Sequence, residues 1–300
     1  IAGVAKIVQQ DMNEGSGFIR ASDHAKGELL VGQPTGTAVA RVRLNDPLGR
    51  HGKTNTAKGA PAMDERFALD PDNAAVVAMT GFPMCIPRDA AGDADCPSTN
   101  RHPSERRFTC GPVSVEPTAP ALTGCDAAKR APLQIGDYVG YAGMLVEDTP
   151  GNFFTAAHAL GANTGIYTSP GRDPSYVFVE ETIVGVLGEI FPPIDQEETS
   201  RFHIVGFATD PSRTIDVFMV DVAPDGAESE RLMTRLQPQL VGQIGRFRAT
   251  LPSKANFLPA TRDVRARLTV KGAPTVTGGT PTPFQYTIPV GEYIYPEVTR

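Results

Sequence analysis

Phe154-Thr-Ala-Ala-His158 is the stretch in which a side chain most plainly offers chemistry, because a histidine closing an apolar run can act as a general base. Acyl transfer would also need a serine nucleophile and an orienting carboxylate beside that base. The only Gly-Ser-Gly, Gly15–Gly17, lies far upstream in what reads as a turn, and no Gly-Asp-Ser-Gly follows His158. His158 is therefore read as a strand-end residue bonded locally, and no catalytic residue is assigned. His24, His51, His102 and His203 are scattered, without the paired spacing of a transition-metal site. Asp89, Asp93 and Asp95 surround Gly92, and oxygen donors at that density are candidates for Ca²⁺; no other cofactor is expected. Glu180/Glu181 and Asp216/Asp221 do not pair for glycoside hydrolysis, since odd spacings on a strand point to opposite faces. Trp is absent, and Tyr138, Tyr141, Tyr167 and Tyr176 are expected to pack in cores or edges.

The four cysteines, Cys85, Cys96, Cys110 and Cys125, fall in one loop-like stretch without Cys-x-x-Cys spacing. An even count in a segment with little core of its own points to two disulfides and to a secreted or cell-surface location. Three pairings are open, and sequential closure makes the smallest loops.

These residues must be positioned by strands. Gly 30 and Pro 27 in 300 residues suit many short strands joined by turns. Nothing approaches a membrane-spanning apolar run. A net charge of −6 argues against a nucleic-acid partner, and Arg41/Arg43, Arg106/Arg107 and Arg262/Arg265/Arg267 read as solvated strand faces.

From Leu133 to Glu181, period-two apolarity is broken by Gly and Pro, and a shortened copy of the pattern opens the chain. Tyr141-Ala-Gly matches Ile1-Ala-Gly, and Gly151-Asn-Phe through His158 matches Gly15-Ser-Gly-Phe through His24. The fold expected is all-β: two related short-stranded, barrel-like (OB-like) modules followed by an Ig-like β-sandwich. The boundaries are 1–80 for the first module, 81–131 for a crosslinked loop segment, 132–195 for the second module and 196–300 for the sandwich. Phe202–Phe207 and Thr214–Val222 read as a hairpin turning at Asp210-Pro-Ser, Glu228–Leu236 as a helix, and Asn73–Met79 as a short strand or helix. Because Ile1 is already mid-strand, the first module is expected to lack its leading strand, with Ile1, Val4 and Ile7 forming an assembly strand.

Ile135-Gly-Asp-Tyr-Val139, Gly165–Val177, Gly206–Arg213, Phe257–Arg265 and Val290–Glu297 resemble a group of secreted, β-rich bacterial and fungal proteins of unknown function. The resemblance runs the full length, includes Met84-Cys85, and implies secretion together with further sequence before the point matching Ile1. The expectation is a secreted or cell-surface structural protein. It would homo-oligomerise through β-strand contacts, as a fibre subunit joined by strand addition. The alternative is an extracellular enzyme or ligand-binding protein with a site in loops between modules; convergent Asp, His and Tyr side chains in a pocket would favour it.

Overall fold

The computed structural model describes residues 13–55, 67–185, 201–223, 225–252, 263–269, 284–289 and 292–294. Ile1, Val4 and Ile7 lie outside the described residues. Among the described residues the protein is almost wholly β, with no helix of seven or more residues.

Alternating apolar residues build β1 (Asn13–Asp23), β2 (Glu28–Gly32) and β3 (Val39–Leu44). Three-residue β4 (Val76–Ala78) and two-residue β5 (Met84–Cys85) follow, then β6 (Arg107–Cys110), β7 (Ala121–Leu122) and β8 (Ala131–Pro132). Long β9 (Tyr138–Thr149) and β10 (Asn152–Ala162) come next. The first half of β1 pairs with β9 (Asn13 opposite Gly143 to Phe18 opposite Tyr138), and its second half pairs with β2. β2 pairs with β3, β3 runs parallel to β10, and β10 returns to β9. Five strands thus form a ring of pairings, with β4 appended to the far end of β10.

This arrangement corrects the expectation of two separate modules with boundaries at 80 and 132. The strands read as two copies interleave in one sheet, and the first half of β1 pairs with β9 of the same chain. Gly15-Ser-Gly17 is correspondingly strand, not turn. The two glycines are there because the Tyr141 ring lies over Gly15 and the Gly32 backbone lies against Gly17, leaving no room for a Cβ at either.

The segment after Gly81 is less loop-like than expected. Disulfides join Cys85 to Cys96 and Cys110 to Cys125, the sequential pairing. Phe82, Met84 and Phe108, all at 0 % exposure, enter the same core as Ile19, Val42 and Leu160 of the ring. Arg101 fastens this segment to the entry of β9 through a two-pronged ion pair with Asp137 (2.8 Å on each prong). Asp137 also accepts from the Gln134 N–H at 2.9 Å. Both side chains are 3 % exposed, and unpairing such a buried couple costs roughly 3–5 kcal/mol.

β11 (Gly165–Thr168), paired with β6, leads into a sandwich that begins at β12 (Val177–Gly185), earlier than residue 196. β12 pairs with β13 (Arg201–Ala208), and β13 with β16 (Arg246–Pro252); β19 (Glu292–Ile294) adds to the other side of β12. The facing sheet runs β15 (Glu228–Leu236), β14 (Ile215–Val222), β17 (Asp263–Leu268), β18 (Gln285–Pro289). Val179, Phe202, Ile204 and Phe247 of one sheet meet Val217, Val264, Ala266 and Leu268 of the other.

Two further expectations change here. β13 and β14 are in different sheets, so Asp210-Pro-Ser is a crossing and not a hairpin turn. Fully buried Asp210 organises it by accepting from the N–H groups of Gly171 (2.8 Å) and Ser212 (3.0 Å) and from Arg213 Nε (2.8 Å). Glu228–Leu236 is strand, not helix. A bulge against Val217/Phe218 inserts Met233, which breaks the period of two and leaves Met233 and Leu236 both leaning on the core. The resulting spacing of three imitated one face of a helix. Asn73–Met79 contains strand β4, within the alternatives expected.

His51 is buried in this fold, its N–H donating to Asp46 Oδ2 (2.6 Å) and Nδ1 lying 2.7 Å from the Met84 carbonyl oxygen. Burial, with Arg130 and Arg50 nearby, pushes its pKa down to about 3. The unfolded chain binds that proton near pH 6.5, so it holds more protons than the native state between about pH 6.5 and about 3. Stability must therefore fall on acidification through that window, by up to about 1.4 kcal/mol per pH unit. Urea unfolding of the native protein and of His51→Gln at several pH values checks this: the substitution should flatten the slope.

Candidate functional site

The ring and the sandwich face each other across a cleft of about 780 Å³. Register builds its floor. Ser16, Gly140 and Gly161 are opposite one another across β1, β9 and β10, and Glu14, Ala142 and Ala159 form the next row on the same face. A Cβ placed on Gly140 or Gly161 would meet nothing within 4 Å, so the two glycines leave bare backbone where side chains would otherwise fill the space. The roof comes from the sandwich: Phe178 of β12 with Tyr286 and Ile288 of β18. Phe178 and Tyr286 brace each other edge to face, centroids 5.3 Å apart.

One side chain sets the distance between floor and roof. Asn73, in the loop entering β4, donates to the Thr287 carbonyl (2.7 Å) and accepts from the Thr287 N–H (3.0 Å). Its amide therefore takes the place of a neighbouring strand on the free edge of β18. Asp70 holds it there by accepting from Asn73 Nδ2 (2.7 Å) and from the N–H groups of Asp72 (2.8 Å) and Asn73 (3.2 Å).

His158 belongs to this cleft. It is not at a strand end but in the middle of β10, at the bulge between Ala157 and Ala159, and bulges re-aim side chains in this way. Tyr141 and Tyr286 line the same space. Burial raises the pKa of both phenols, with the Asp70 carboxylate adding to the rise at Tyr286, so both stay neutral hydroxyls through ordinary pH. Glu14 and Asp70 bring exposed carboxylates to the rim. The cleft thus gathers acid, imidazole, phenol and hydroxyl groups around an apolar floor, a composition suited to binding a ligand. Glu14, Asp70, Phe178 and Tyr286 carried no local signal in the sequence. The two mid-strand glycines did, since Gly inside a strand marks close approach by something else.

Other residues singled out from the sequence have structural roles. Tyr167 and Tyr176 are buried, and Tyr176 donates to the Ala127 carbonyl at 2.8 Å. Arg41 and Arg43 face Glu28 and Asp148 at 2.7–2.9 Å, with Arg43 also 4.2 Å above the Phe154 ring. Arg265 and Arg267 meet Glu230, both at 2.6 Å. Asp216 and Asp221 pair with Arg235 and Arg231.

The three acids of the Ca²⁺ candidate, Asp89, Asp93 and Asp95, are held by other partners. Arg88 Nη1 reaches Asp93 Oδ1 at 2.9 Å and Asp95 Oδ2 at 3.4 Å, while Asp89 accepts from the Ala91 N–H at 2.8 Å. Asp93 also receives the N–H groups of Arg88 and Asp95, and these donors with the guanidinium hold its pKa low against the opposing effect of burial. Among the described residues, no three His, Cys, Asp or Glu side chains are grouped to hold a metal.

Comparison with protein-family models, with curated proteins and with solved structures found no match.

Since Arg88 already meets the charge of Asp93 and Asp95, EDTA should leave the melting temperature unchanged, whereas Arg88→Met should lower it. Differential scanning fluorimetry with and without EDTA reads both.

Proposed function

We propose that this chain is an extracellular binding protein whose ligand site is the cleft between its β-ring and its β-sandwich. The observation that carries the reading is the bare floor at Gly140 and Gly161 beneath the Phe178–Tyr286 roof, with His158, Tyr141, Asp70 and Glu14 around it. The two disulfides support an oxidising, extracellular setting. No helix among the described residues is long and apolar enough to cross a membrane. The resemblance to secreted β-rich proteins agrees with that location. In this reading the five-strand ring is OB-like and the two facing sheets are Ig-like.

The test uses the open space itself. The Cβ of Gly161→Leu meets nothing within 4 Å on the cleft side, so the variant should fold with an unchanged or higher melting temperature. Ligands found by amide NMR with a panel of amines, saccharides and short peptides should shift Gly140 and Gly161 and be lost in the variant. Equal binding by the variant would reject the cleft.

One observation favours assembly as a second reading. Beyond Gly143, Met144–Thr149 of β9 pair only with β10 among the described residues, and strand addition would use such an edge. Leu145 and Phe153 are exposed beside it. Sizing by light scattering, with negative-stain microscopy, should show oligomers that Leu145→Lys dissolves; a monomer at every concentration removes this reading.

A further inference from the structure

We infer that the cleft takes a linear cation, an apolar chain with ammonium or guanidinium groups toward its two ends. The inference rests on the binding reading above and adds the ligand's shape and charge.

The cleft does not stop at Gly161. A second cavity of about 340 Å³ shares Val77, Gly140, Gly161 and Phe178 with the first, so the two adjoin along one trough. The shared middle is backbone and apolar side chain. The acids lie outside that shared middle: Glu14 and Asp70 line only the first cavity and Glu180 only the second. No lysine or arginine among the described residues lines either cavity.

Several carboxylates on strand faces elsewhere carry arginine partners, as Glu28, Asp148, Asp216 and Glu230 do. Glu14 and Glu180 carry none among the described residues, and Asp70 is met only by N–H groups and the Asn73 amide. Exposed carboxylates flanking a trough attract a cation and repel an anion. Tyr141, Tyr286 and Phe178 line the trough, and a cation is attracted to the face of such a ring, which carries negative charge. The neutral phenols add hydrogen-bonding groups without opposing charge. A ligand charged only at its middle would place that charge on the apolar floor, whereas one charged toward both ends matches the trough along its length. Aliphatic polyamines and the lysine side chains of an extended peptide share this chemistry.

Calorimetric titration of the full chain at low salt tests it, using a linear aliphatic diamine, the monoamine, the diol and the dicarboxylate of equal length, and a two-lysine peptide. The diamine should bind more tightly than the monoamine, and the dicarboxylate should not bind. Glu14→Gln and Glu180→Gln, both at exposed positions, should each weaken the diamine about fivefold. A peptide tighter than the diamine identifies a polypeptide as the source of the charge, and the reverse identifies a free polyamine. The inference is overturned if the diol binds as well as the diamine, if no amine binds, or if the glutamine variants bind unchanged. Uncharged ligands that Gly161→Leu abolishes but the glutamine variants ignore would sink only the charge assignment. Diamine binding that survives Gly161→Leu would sink the cleft as well.

Discussion

A β-strand carries two rows of backbone hydrogen-bonding groups, and the whole first half of this protein depends on how β1 distributes them. It gives one stretch to β9 and the next to β2, with Phe18 at the changeover opposite both Tyr138 and Gly32. That division bends the strand and brings residues from the start of the chain against residues near its middle. The core then has no seam between them: Ile19, Val42 and Leu160 pack with Phe108 and Met84 of the crosslinked segment. Glu14, Ser16, Gly140 and Gly161 share one face only because this register holds.

The junction with the sandwich has the same character. An apolar cluster of Ala119, Tyr167 and Ile244 contributes to it, and so do specific polar side chains. Thr209 receives the Tyr176 N–H at 2.8 Å and lies 3.0 Å from the Thr168 hydroxyl, while Asn73 occupies the edge of β18. Buried polar groups of this kind fix a relative position more narrowly than apolar contact does, since their hydrogen bonds fail within a few tenths of an ångström. The cleft's width is thus a property of specific side chains, not of loose packing between two bodies.

Local chemistry was legible in the sequence, and partnership was not. Alternation with Gly and Pro marked the strands, and the clustered cysteines marked two disulfides. The interspersed acids and arginines marked strand faces, of which Arg41 and Arg43 are half-covered and paired. Which strand meets which is set by long-range register, and no short stretch records it; two pieces of one ring therefore looked like two modules. Bulges did further damage. Met233 disguised β15 as a helix, and the bulge at His158 placed in mid-strand a residue that had looked terminal. The partners of Asp93 and Asp95 were hidden for a simpler reason, because Arg88 precedes them and its reach is invisible in a list of acids. The cleft was least legible, since its floor is defined by side chains that are absent.

Asn73 also marks the place where chemical ageing would act on the cleft. An asparagine amide hydrolyses slowly to a carboxylate with release of ammonia. At this position the product would turn a donor into a negatively charged acceptor facing the Thr287 carbonyl oxygen. The bond that spaces ring from sandwich would become a repulsion, so an aged copy would differ from a fresh one first at its cleft and last in its core.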